Sequence, residues 1–208
     1  MKEKNTMTNP QLTLMRFTSL TSLFVALTFL SCTRSSEYHR IKEKELASGM
    51  EYKEIFLGLE FGMTRKNFFD ACWKMNQEGL LTQGANALKV HYVAELPSGQ
   101  VANMYFYPNF ENDRIYHMPV EFQYRDWFPT NPKYSSKNLV DDVTAYFEGI
   151  YGKGFFKVED KSGAYAMVKI DGNRLIRIYV KDLSAASVDI LDLRIKDITE
   201  LKKDKDAA

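Results

Sequence analysis

Hydrophobic positions along the chain follow two periods, and their alternation lays out a series of elements. In residues 64–78, Phe68, Cys72 and Met75 recur at i, i+4 and i+7 with Ala71 beside them. That spacing predicts a helix with one apolar face. Thr64 can cap its start, and Gly79 stands just past its end. From Leu88 the period becomes two: Leu88, Val90, Tyr92, Ala94 and Leu96 alternate with Lys89, His91, Val93 and Glu95. Pro97-Ser98-Gly99 supplies a hairpin turn before a second strand over 101–107. Turn-forming pairs, Pro108-Asn109 and Asn112-Asp113, bound the next connection. A third strand covers 115–124, with Val120, Phe122 and Tyr124 set against Glu121, Gln123 and Arg125. Pro119 inside it predicts an edge position or a bulge.

The connection 127–134 (WFPTNPKY) carries two prolines, and then the order starts again. Ser135 or Ser136 can cap a second helix to Tyr151, with Leu139, Val143, Tyr146 and Ile150 on one face and Gly152 after it. Strand patterns follow at 155–158, 164–170, 174–180 and 188–195. Their turns are Lys161-Ser162-Gly163, Asp171-Gly172 and Leu183-Ser184-Ala185. Asp-Gly between apolar runs is the strongest hairpin signal in the chain. Helices followed by hairpin-linked strands predict an α+β fold, a helix packed on an antiparallel sheet. The doubling predicts a tandem repeat of one helix plus three or four strands, as a first lobe over 54–130 and a second over 131–201. Residues 202–208 form a charged tail.

The N-terminal region has a different character. Residues 17–30 form an uncharged 14-residue run preceded by Arg16 and followed by Ser31-Cys32. A transmembrane helix needs about 20 apolar residues, so the run is too short to span comfortably. A basic flank, an apolar centre and a small residue at the cut are the marks of a secretory signal peptide, here 1–31. Phe29-Leu30-Ser31-Cys32 resembles a bacterial lipobox, which implies that Cys32 is diacylated and becomes the first residue. Met15 is an alternative start giving a compact signal. Buried acyl chains contribute about 0.8 kcal/mol per CH₂, enough in combination to hold a protein on a bilayer. Residues 32–53 are polar and read as a tether, with a short helix expected within 40–47.

Composition narrows the function classes. The 208 residues include 28 Lys+Arg and 27 Asp+Glu, a net charge of +1. Removal of residues 1–31 leaves 25 basic and 26 acidic residues, net −1. Basic and acidic residues are interspersed, so no track for nucleic acid emerges. With 14 Phe, 12 Tyr and 2 Trp, the chain is rich in residues that favour strands. Besides Cys32 there is one cysteine, Cys72, so no disulfide framework exists once Cys32 is acylated.

Gly62-Met63-Thr64-Arg65, following Leu57-Gly58 and opening a helix, resembles the Gly-Met-Thr/Ser start of small envelope lipoproteins. These are the outer-membrane assembly lipoproteins, whose fold is shared by β-lactamase inhibitor protein. The resemblance covers about a dozen residues. It lacks the family's Leu-Gly-x-Pro at the helix end, where this chain has Glu78-Gly79-Leu80-Leu81. It implies a helical unit on an antiparallel sheet and an envelope location, and transfers no contact residue.

Patterns that carry catalysis are not found. His39, His91 and His117 have no metal-ligand spacing, although His91 and His117 can share a sheet face with Glu121 nearby. Cys72 sits on an apolar helix face, which favours a core role over a reactive thiol. Asp141-Asp142 near a helix start complements the helix dipole. Gly152-Lys153-Gly154 reads as a helix end rather than a phosphate cradle. No catalytic, cofactor-binding or metal-binding residue is therefore assigned.

The expectation is a non-enzymatic envelope lipoprotein that binds a protein or an envelope polymer through an aromatic sheet face. The alternative is an envelope enzyme acting on cell wall or glycan through scattered carboxylates and tyrosines, which a pocket holding two neighbouring carboxylates would favour. Strand parity places Ala102, Met104, Phe106, Val120, Phe122 and Tyr124 under the first helix, and Val168, Ile170, Ile176, Ile178 and Val180 on the inner face of the second half. His91, Asn103, Tyr105, Tyr107, Gln123, Arg125, Tyr165, Met167, Lys169, Arg177, Tyr179 and Arg194 then point outward. From these, Tyr105, Tyr107, Arg125, Tyr165, Arg177 and Tyr179 are the binding-face candidates, being types enriched at interfaces.

Overall fold

The computed structural model describes residues 33–84, 89–160 and 162–197. The expected signal peptide 1–31, the acylation site Cys32, the first strand residue Leu88 and the tail 202–208 lie outside the described residues. The chain divides into two compact units, Met1–Arg40 and Ile41–Ala208. Among the described residues no helix is long and apolar enough to cross a membrane.

Helix α1 spans Thr33–Ala47, longer than the turn or two expected within 40–47. Of the first unit, the part described is the start of this helix, where the Tyr38 and His39 rings meet edge-on at 5.4 Å. The remaining turns belong to the second unit and are bonded within it. Lys42 pairs with Asp197, and Glu45 accepts the Gly172 N–H at 3.1 Å. The segment read as a tether is thus secured to the body from Lys42 onward.

The second unit is built on one antiparallel sheet. A small hairpin comes first, β1 (Glu54–Phe56) and β2 (Leu59–Glu60), turning at Leu57 and Gly58 with φ of 53° and 72°. Helix α2 follows over Arg65–Gln77. Thr64 caps it by accepting the Asn67 N–H, which satisfies one of the donors that a helix start leaves open. Strands β3 (Leu81–Gln83), β4 (Val90–Glu95), β5 (Val101–Phe106), β6 (Asn109–Glu111) and β7 (Arg114–Tyr124) complete the first half. A 3₁₀ turn at Pro132–Tyr134 leads into α3 (Ser136–Tyr151), capped by the Ser135 side chain on the Asn138 N–H. Strands β8 (Phe156–Glu159), β9 (Tyr165–Asp171), β10 (Arg174–Val180) and β11 (Ala185–Asp192) follow.

Eight strands run in the order β3-β4-β5-β7-β11-β10-β9-β8, and β6 pairs beside β7. Each half therefore steps from an outer edge to the centre, and the last strands of the halves pair with each other. The segments 54–130 and 131–201 share this one sheet. The α+β class with helices on an antiparallel sheet holds as expected.

Helix α3 lies over the central strands β7, β10 and β11. It buries Leu139, Val140, Val143 and Phe147 completely, each removal from water contributing about 1.5–3 kcal/mol. Phe122 meets Tyr146 and Phe147 at 6.0 and 5.9 Å. The first-half inner set is buried as parity requires, but α3 shares in covering it. Helix α2 packs beside β3 at the sheet edge. Ile150, expected on the inner stripe of α3, is exposed; the stripe turns instead through Thr144, Phe147 and Tyr151.

Three further expectations change. Pro119 lies inside a central strand, opposite Asp189 of β11. It sits where β7 exchanges β5 for β6 as its other neighbour, between Val120↔Phe106 and His117↔Asn109, a break in the ladder that accommodates a residue without N–H. The last strand begins at Ala185, not Val188. The hairpin after β9 pairs Asp171 with Arg174 around Gly172-Asn173. A two-residue loop makes partners of even and odd numbers, so Ile176 stands beside Lys169 and Ile178 beside Met167. Val168 and Ile170 are therefore on the face opposite α3, and Tyr165, Met167 and Lys169 are on its side.

Candidate functional site

The face opposite α3 carries a ladder of polar and aromatic groups. One cross-strand row reads Thr82–His91–Tyr105–Glu121–Ser187–Tyr179. His91 stacks on Tyr105 with ring centroids 4.9 Å apart. Its Nε2 donates to Asn103 Oδ1 at 3.0 Å, and its Nδ1 accepts from the Thr82 hydroxyl at 2.8 Å. Glu121 receives Lys89 at 3.0 Å and Lys181 at 2.7 Å. Burial alone would raise the Glu121 carboxyl, but the two ammonium groups outweigh it and hold the group below its ordinary range.

Deeper on the same face lies a buried polar cluster. His117 Nε2 donates to Asp189 Oδ1 at 3.0 Å, and Asn109 donates to His117 Nδ1 at 2.9 Å. Arg177 reaches Asp189 Oδ2 through Nε at 3.1 Å and through a terminal nitrogen at 2.5 Å. Burial would raise the Asp189 carboxyl; hydrogen bonds and charge from His117 and Arg177 bring it down to about 2 instead. Both ring nitrogens of His117 are occupied by protein partners, which gives this His–Asp pair a structural task.

The six binding-face candidates separate. Tyr105, Arg177 and Tyr179 share the open face, with the Arg177 guanidinium 4.6 Å over the Tyr179 ring. Arg125 is exposed just past the end of β7, its N–H donated to Val101 O at 2.9 Å. Tyr107 does not join them: at the end of β5 it turns under α2, its ring 5.8 Å from Phe68 and 6.4 Å from Phe69. Tyr165 lies on the α3 side of the sheet, with Lys157 4.5 Å over its ring. Of the other side chains expected outward, Lys169 is buried, donating to Lys153 O at 3.0 Å and pairing with Asp171 at 2.8 Å. Arg194 is bound to Asp192 and Glu51.

An aromatic groove that the sequence reading did not assign opens between α2 and β3. It has a volume of about 520 Å³ and is lined by Phe69, Asp70, Cys72, Trp73, Leu81, Thr82, Lys89 and Tyr107. Phe69 is 48% exposed, Trp73 66% and the adjoining Leu80 43%. Core packing occupies Phe68 and Met75 on the other side of α2, so these groups form a second apolar stripe. Its signal was present in the spacing of Phe69 and Trp73 at i and i+4. Cys72 is half-buried in the groove wall rather than enclosed, and burial pushes its thiol up to about 11.

A second cleft of about 660 Å³ lies among Glu51, Glu60, Glu111, Asp192 and Arg194. Hydrogen bonding and charge from Arg194 hold Glu51 below the usual carboxylate range. A glycan-cleaving general acid requires the reverse shift. No family model, curated protein or solved structure matches the chain.

Proposed function

We propose that this protein is a non-enzymatic binding module of a bacterial envelope, anchored to the bilayer through acylated Cys32 and capturing another protein through the groove of α2 and β3. The observation that carries this reading is the exposure of Phe69 and Trp73 together around one concavity, with Leu80 exposed just past the end of α2. Large apolar groups gathered at a cleft, with polar groups at its rim, mark interaction sites more strongly than scattered exposed residues do. Tyr105 and Tyr179 extend the surface on the open sheet face, where Arg177 and the lysines around Glu121 provide polar contacts. The titratable groups support binding over chemistry: the Cys72 thiol stays protonated near neutral pH, and His117 and Asp189 are committed to each other.

Site-specific photo-cross-linking in intact cells tests the reading. A photoreactive side chain at Trp73 should give a discrete adduct with another protein. The same group at Phe128, which is exposed on a loop away from the groove, should not. Equal adducts from both positions, or none from position 73, would remove the groove as the capture surface. Anchoring has its own check: the mature protein should begin at Cys32 and carry acyl mass. A lipid-free terminus elsewhere would defeat that part.

A further inference from the structure

We infer that the groove takes an extended segment of its partner, which adds to β3 as a further strand, with apolar side chains at alternate positions and an acidic residue beside Lys89. This rests on the groove being the capture surface. Strand β3 ends the sheet, and among the described residues no strand pairs on its far side. Its register with β4 is Leu81↔Tyr92, Thr82↔His91 and Gln83↔Val90. Gly84 N–H donates to Lys89 O at 2.9 Å, which continues that register. In an antiparallel pair hydrogen-bonded and non-hydrogen-bonded positions alternate. Gly84 and Thr82 therefore direct their main-chain groups toward β4, and Leu81 and Gln83 direct theirs outward. Asn76 takes up Leu81 O at 2.8 Å. The Leu81 N–H and both main-chain groups of Gln83 remain along the edge without a partner among the described residues.

Natural sheets protect such edges with charge, proline or a covering element. Here Thr82 and Gln83 are exposed and uncharged, and the neighbouring wall is Phe69, Cys72 and Trp73. An added strand would point alternate side chains at that wall and the others toward the face that holds Lys89. Charge selects the occupant further. Glu121 serves both Lys89 and Lys181, whereas Asp70 is matched by Lys66 at 2.5 Å. Lys89, Lys181 and Glu121 together carry one positive charge in excess, Lys89 is the one that lines the groove, and a carboxylate on the incoming strand complements it. A second copy of this chain fits less well. Antiparallel pairing of two three-residue edges would bring Lys89 of each copy toward the other and bury too little surface for a stable dimer.

The test uses the full chain in detergent and three synthetic octapeptides. One alternates Val and Glu, one alternates Val and Lys, and the third is the Val-Glu peptide N-methylated at alternate amides. The Val-Glu peptide should bind, read as a change in Trp73 emission that a Trp127→Phe background retains. N-methylation removes strand hydrogen bonds without touching the protein and should weaken binding about tenfold or more. Exchange of Glu for Lys, or the substitution Lys89→Glu, should weaken it similarly. No binding of the Val-Glu peptide, or equal binding of its N-methylated form, overturns strand addition. If position 73 still cross-links a partner in cells after that result, the groove reading survives and this inference alone fails. Concentration-dependent dimerisation that is abolished by Gln83→Pro would assign the edge to self-pairing and overturn the proposal.

Discussion

At the residue scale, burial and pairing decide which side chains are available for chemistry. Asp189 is the clearest case. Its carboxyl is brought to about 2, against 3.8 for the ordinary group. A pKa depressed in the fold contributes stability that is fully present above the ordinary value and is lost as pH falls from there toward about 2. Asp189→Asn removes the charge that His117 and Arg177 surround, and breaking such a buried pair costs about 3–5 kcal/mol. Denaturant midpoints should therefore show a large gap between the parent and Asp189→Asn at pH 7, narrowing between pH 4 and pH 2. A gap independent of pH would show that charge is not its source. Cys72 offers a second check. With its thiol pushed up to about 11, alkylation of the native protein at pH 7.5 should be much slower than of the denatured chain. Rapid native labelling would contradict the environment described for it.

At the element scale, short polar contacts set where helices begin and how they meet the sheet. Ser135 and Thr64 cap α3 and α2 through their side-chain oxygens. Replacement of either by Ala should lower stability by about 1 kcal/mol, measured by thermal or urea unfolding. Asp142, in the second turn of α3, accepts both Tyr124 Oη and Ser98 Oγ at 2.6 Å. It thus ties the helix start to β7 and to the β4–β5 turn, a task beyond the dipole role its position suggested. The hairpin between β9 and β10 is equally constrained. Gly172 has φ of 52°, and a Cβ there would stand 2.3 Å from the Met50 carbonyl oxygen. Gly172→Ala should cost on the order of 1–3 kcal/mol through backbone strain, and more if the Met50 strand of chain must move. Unchanged unfolding of this variant would show that the segment 48–52 is not held against the hairpin.

At the scale of the whole molecule, stability and proposed function are carried by different surfaces. The core lies between α3 and the centre of the sheet, while the groove lies at one end beside β3. The double variant Trp73→Ala with Phe69→Ser removes side chains that are about half exposed or more, so its melting temperature should fall far less than a core truncation would lower it. Partner cross-linking from a neighbouring groove position should fall to background. Loss of stability equal to a core truncation, about 3–5 kcal/mol, would mean instead that these rings support the fold. Tyr105→Ala with Tyr179→Ala probes the sheet face independently, and intact cross-linking in that variant would confine capture to the groove.

Local pattern by itself determined much of the architecture. The helices at Arg65–Gln77 and Ser136–Tyr151, their caps at Thr64 and Ser135, and most strands follow from period and turn chemistry over a few residues. The buried row Ala102, Met104, Phe106, Val120, Phe122 and Tyr124 was legible for the same reason: within one strand, alternation fixes relative facing. Facing across a hairpin depends on loop length, and the two-residue Gly172-Asn173 loop alone moved Tyr165 to the α3 side and Val168 to the other. The groove was legible in the second stripe of α2, but its meaning was not. A stripe of Phe69 and Trp73 is equally suited to a core or a surface. Only the packing of α2 at the sheet edge, where no further element lies over those rings among the described residues, left it open. The pairing of β7 with β11 was likewise a tertiary decision. It closes a contact between segments more than sixty residues apart and in doing so brings His117 onto Asp189, which Arg177 already meets across the β10–β11 hairpin; no local pattern announces that buried cluster.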